Sequence, residues 1–69
     1  MQAEDIEYVT GLMSKLLPAR EAVAVMGRYV YGHDLTDLAS HMQVKERTVS
    51  RYACLGIKRI REAVLKGRL

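Results

Sequence analysis

Apolar residues along this chain recur every three or four positions, and no segment alternates with the two-residue period of a strand. Ile6, Val9, Met13 and Leu16 or Leu17 predict a first helix from Ala3 to Leu16, with Glu4, Asp5 and Glu7 at the positive end of its dipole. Pro18 suits the opening of a second helix, which runs to Tyr31 with Ala22, Val25, Met26, Tyr29 and Val30 inward. Being apolar nearly all round, that helix is expected at the centre. Gly32 then supplies a left-handed stop. Asp34 can cap a third helix, Leu35 to Met42, and Asp37 stands at the reciprocal position of a capping box. A fourth helix opens at Lys45 or Glu46 and continues to Lys66, before Gly67. Its inward stripe reads Val49, Tyr52 with Ala53, Gly56, Ile60 and Val64. Gly56 inside a helix costs about 1 kcal/mol relative to Ala, so another backbone is expected to pass close by. The fold class is all-α: one compact four-helix domain spanning residues 1–69.

The stretch from Leu35 to Gly56 narrows the picture. Leu38, Met42, Val44, Val49 and Tyr52 are apolar, with a gap of five between Val44 and Val49. A continuous helix would smear that set around its circumference. Two short helices meeting at a tight turn at Gln43–Val44 would gather all five on one interior, with Ala39 at the crossing. That is the spacing of a helix-turn-helix. With Val49 and Tyr52 inward, Glu46, Arg47, Ser50, Arg51 and Cys54 face outward near the start of the second helix. In such a motif those positions enter the major groove of DNA. Arg47 and Arg51 can read guanine and Glu46 can accept from cytosine, while Lys45, Thr48 and Ser50 suit phosphates.

Charge points the same way. Residues 1–44 hold three bases against six acids, net −3, whereas residues 45–69 hold eight bases against two acids, net +6. A basic C-terminal half suits a polyanion, and Lys58 and Arg59 extend the candidate DNA surface toward phosphates or a partner. Sixty-nine residues make one domain near the lower limit for a self-sufficient core, so packing quality or self-association must stabilise it. The single Cys, Cys54, cannot form an internal disulfide and suits a reducing compartment. No apolar run is long enough for a membrane span, and the acidic start is unlike a signal peptide, so a cytoplasmic protein is expected.

From Leu16 to Arg61 the chain resembles region 4 of bacterial sigma-70-type factors, which binds the promoter −35 element. The matching residues are Leu17-Pro18-Ala19-Arg20-Glu21, then Arg28-Tyr29 and Gly32, then Asp37-Leu38-Ala39, Val44, Val49 and Tyr52, and finally Ile57-Lys58-Arg59-Ile60-Arg61. Three departures stand out. Gln43 occupies a turn position where the family usually has Gly, which implies a strained turn. Lys45 replaces the usual capping Ser or Thr, forfeiting about 0.5–2 kcal/mol. Glu46-Arg47-Thr48-Val49-Ser50-Arg51 replaces the family's Arg-Glu-Arg-Val-Arg-Gln, which points away from an ordinary −35 hexamer. With no other sigma region present, the resemblance implies a stand-alone regulator of phage or plasmid type, with DNA as its partner and RNA polymerase and a second copy as further candidates.

Other classes fare worse. His33 and His41 lie eight apart without a Cys at metal spacing, so neither a metal nor a cofactor is expected. A catalytic triad can be spelled from Ser50, His41 and Asp37, but a helical protein this short is expected to lack a pocket-sized core, and no enzyme is expected. Cys54 reads as a passive small residue more readily than as a redox sensor. The tyrosines could stack on single-stranded bases, but Tyr29 and Tyr52 fit the core, and Tyr8 and Tyr31 are open to either assignment. The main alternative is an adaptor or antiterminator acting through protein contacts with RNA polymerase, using the acidic first helix and the apolar second. A basic helix on a membrane surface is weaker, because residues 57–68 lack an aromatic anchor.

Overall fold

The computed structural model describes residues 2–67; Met1, Arg68 and Leu69 lie outside the described residues. Four helices follow one another: α1 (Ala3–Leu16), α2 (Ala19–Val25, continued by a π-helical turn over Met26–Val30), α3 (Leu35–Met42) and α4 (Glu46–Leu65). No strand forms among the described residues. The bounds of α1 and α3 are those the apolar spacing predicts. Among the described residues, no helix is long and apolar enough to cross a membrane.

α2 is the central element, and α4 lies along it. One apolar cluster joins Ala24 of α2 to Leu38, Ala39, Val49 and Ala53 of α3 and α4. A second joins Met13 and Leu17 to Val25 and Met26, with Ile57 and Ile60 of α4 against it. Ala39 is buried where α3 crosses its neighbours, as its size predicts.

The second helix departs from its expected form. Tyr31 N–H donates to the Met26 carbonyl at 3.0 Å, an i→i−5 bond that fits one residue too many into the turn. Positions beyond it rotate relative to an α-helical register. Tyr29, expected inward, lies within this turn and is 64% exposed, while Val30 packs on the second cluster. Gly27 lies in that turn with the Leu38 side chain pressed against its α-carbon, where a Cβ would collide.

Two further expectations change at the helix ends. Asp34 caps α3 by accepting from the Asp37 amide at 2.9 Å, but no return bond from the Asp37 side chain forms among the described residues. An aspartate is one methylene short of the Glu or Gln that closes a capping box. In α4 the inward stripe ends on Ala63, 5% exposed, and Val64 is 55% exposed. At about 100° per residue Val64 lies roughly 60° from the Val49 direction, on one shoulder of the buried face, whereas Ala63 lies about 40° to the other side. Gly56 is buried as expected, though its closest neighbour is a side chain: an added Cβ would stand 2.5 Å from Val25 Cγ2 and 3.5 Å from the Glu21 carbonyl oxygen.

Candidate nucleic-acid interface

The corner between α3 and α4 is built from backbone hydrogen bonds. Gln43 takes the left-handed conformation, φ 58° and ψ 43°, in the place of the more usual glycine. Its N–H donates to the Ser40 carbonyl at 3.3 Å, and the Val44 N–H donates to the Ala39 carbonyl at 3.0 Å. This pair of bonds is a Schellman motif, which satisfies the last carbonyls of α3. Val44 then packs back on the Leu38–Ala39 cluster and closes the corner. Lys45 opens α4 without a side-chain cap, as its chemistry dictates: an ammonium has no acceptor to offer. Its carbonyl instead accepts from the Thr48 and Val49 amides at 2.9 and 3.1 Å.

Val49 has no solvent exposure and fixes which way α4 faces. At about 100° per residue, Arg47, Arg51 and Lys58 all lie within about 20° of the direction opposite Val49. They form an exposed ridge, about 16 Å from first to last at the helical rise. Cys54 and Leu55 are exposed between Arg51 and Lys58. Lys45 and Glu46 are exposed at the corner. Ser50, expected to face outward, and Thr48, expected to suit a phosphate, are half-buried shoulders of the ridge. Among the described residues, no carboxylate forms an ion pair with Lys45, Arg47, Arg51 or Lys58.

Arg59 stands apart from this group. Lying roughly 80° from the Val49 direction, it turns toward α2, and its Nε donates to Glu21 Oε1 at 2.8 Å. Glu21 is buried, so this pair ties α2 to α4 and commits one face of the guanidinium. The apolar reading of α2 gave no sign of a buried carboxylate. Its signal lies in the pairing of an acid in the first turn of α2 with a base far along α4, which only the packing of the two helices brings together.

Arg20, part of the sequence motif but not one of the candidate DNA contacts, is a further cation. It is exposed at the start of α2, and its Nη1 donates to the Tyr52 hydroxyl at 3.2 Å, which brings it beside the first turns of α4. That hydrogen bond pushes the Arg20 pKa up, favouring the charge that a guanidinium carries in any case. A cation in the first turn of a helix opposes the dipole, so helix stability does not account for its position. Tyr52 is half-buried, with its ring on the core and its hydroxyl at the surface.

The remaining candidates are dispersed. His33 and His41 are both exposed, and among the described residues no three His, Cys, Asp or Glu side chains gather as metal ligands. Tyr31 stacks on His33 with ring centroids 6.2 Å apart. Contrary to the expectation of no pocket, a groove of about 750 Å³ opens between α1, α2 and α3, away from α4. Comparison of the chain with protein-family models, curated protein sequences and solved structures finds no match.

Proposed function

We propose that this protein is a sequence-specific DNA-binding regulator of transcription, inserting the start of α4 into the major groove. The observation that carries this reading is the ridge of Arg47, Arg51 and Lys58: exposed, without acidic partners among the described residues, and projecting from a helix held at a tight corner. A major groove about 12 Å wide admits such a helix. Arg47 and Arg51 reach base edges near the corner. Lys45 and Lys58 address phosphates at the two ends, and Glu46, Thr48 and Ser50 line the approach. Arg59, held by Glu21, contributes charge from the side. The resemblance to sigma region 4 in the spacing of apolar and basic residues supports the same orientation.

Fluorescence anisotropy with duplexes selected from a random library tests this reading. Affinity is expected to fall steeply, by about 10³-fold or more, between roughly 50 and 200 mM salt if six or more phosphates are contacted. Absence of binding to every selected duplex at low salt would sink it. If RNA polymerase were retained by the protein in that case, the adaptor reading would take its place.

A further inference from the structure

The groove of about 750 Å³ has α1 and α3 as walls and α2 as floor, and no residue of α4 lines it. Met13, Val23, Met26 and Leu38 make its interior apolar. Its two ends differ. One abuts the Leu17–Pro18 connection between α1 and α2. The other lies at Thr10, Gly27 and Asp37, with Tyr31 and His33 also in the lining. Asp37 belongs to the lining. Glu7 is exposed one step beyond Thr10 on the helical row Leu17–Ser14–Thr10, which faces the groove.

The same chain carries a surface of matching character. At the C-terminal end of α4, Val64 is 55% and Leu65 80% exposed, and Leu65 is the most exposed of the large apolar residues described. Arg61 and Lys66 flank them and are exposed too. This basic, apolar tip complements the groove in both hydrophobicity and charge. It cannot fill the groove of its own copy, because α4 packs on α2 and the groove opens away from it.

We propose that a second copy of this chain occupies the groove. Val64 and Leu65 of each copy enter the groove of the other, with Arg61 and Lys66 against Glu7 and Asp37. Reciprocal exchange closes the assembly as a two-fold pair, whereas one-way insertion would propagate into a filament. A domain this small has little apolar surface to bury alone, and pairing adds to what it buries. The pairing leaves Arg47 and Arg51 uncovered, so it stands independently of the DNA reading.

Sedimentation equilibrium of the full chain at low salt, over a wide concentration range, provides the test. The wild type is expected to show a monomer–dimer equilibrium that weakens as salt rises. Leu65→Asp and Val23→Asp change exposed positions and are expected to leave the helical circular dichroism intact, while each weakens dimerisation by about tenfold or more. A mixture of the two variants is expected to recover mixed dimers, because the tip of the Val23→Asp copy fits the groove of the Leu65→Asp copy. Asp37→Lys and Lys66→Glu, each weakening alone, are expected to restore association when combined. A wild type that stays monomeric throughout overturns the proposal. So does a Leu65→Asp or Val23→Asp protein that pairs as well as wild type, or a mixture that associates no better than either variant.

Discussion

Glu21 and Arg59 join α2 to α4 through a single bond of 2.8 Å between a nearly enclosed carboxylate and a half-exposed guanidinium, with side-chain exposures of 9% and 51%. The asymmetry matters. Glu21 has little access to water and depends on Arg59 for compensation, whereas Arg59 can be solvated without Glu21. The bond lies between the helix proposed to read DNA and the central helix that supports it.

Removing Arg59 is therefore expected to harm stability more than removing an ordinary surface cation. Arg59→Ala should cost about 1–2 kcal/mol, below the value for a fully buried pair because water reaches one partner. Replacing both members, Glu21→Leu with Arg59→Met, should recover most of that loss. Urea unfolding of the wild type and these two variants checks this, and an Arg59→Ala protein as stable as wild type would contradict the role assigned to the pair.

The corner at Gln43 and Lys45 stores two local penalties that substitution can relieve. A left-handed non-glycine residue costs about 1–2 kcal/mol, so Gln43→Gly should stabilise the protein by about 1 kcal/mol after the entropy of glycine is counted. Lys45→Ser supplies the absent cap and should add about 0.5–1 kcal/mol. For a domain of this size each such gain raises Tm by several degrees, about 4–8 °C per kcal/mol. The two substitutions should diverge in DNA binding. Lys45→Ser removes a proposed phosphate contact and should lower the salt slope by about one, and Gln43→Gly should not.

Gly56 is expected to respond to its neighbour rather than to helix propensity. Alanine is favoured by about 1 kcal/mol in a helix, but a Cβ at 2.5 Å from Val25 Cγ2 should cost about 1–3 kcal/mol in displaced packing. Gly56→Ala should thus destabilise the wild type. In a Val25→Ala background the same substitution should stabilise, because the crowding atom is gone. Thermal unfolding of the four proteins reads the sign directly.

The ridge predicts two kinds of loss. Arg47→Ala or Arg51→Ala should cost about 1–3 kcal/mol on the selected duplex and relax preference at one base pair. Lys58→Ala should weaken cognate and scrambled duplexes alike. Equal losses on both duplexes for all three variants would remove the division between reading and anchoring.

Much of this architecture follows from local rules that operate within a few residues. The three- and four-residue spacing of Ile6, Val9 and Met13 sets α1, and Asp34 marks the start of α3 because its carboxylate can accept from the Asp37 amide. Gly32 and Gly67 adopt positive φ where a helix must end. The burial of Val49, and with it the outward direction of Arg47 and Arg51, follows from periodicity in α4. What depends on tertiary structure involves residues distant in the chain or an alternative hydrogen-bond register. The π-helical turn that contains Tyr29 belongs to the second kind, because the apolar pattern of α2 fits more than one inward face. Arg20 meeting Tyr52, Arg59 meeting Glu21, and a groove opening between α1 and α3 belong to the first. Helical periodicity states which face of each helix is buried, but not which neighbour covers it, since that is decided only when all four helices compete for the same interior.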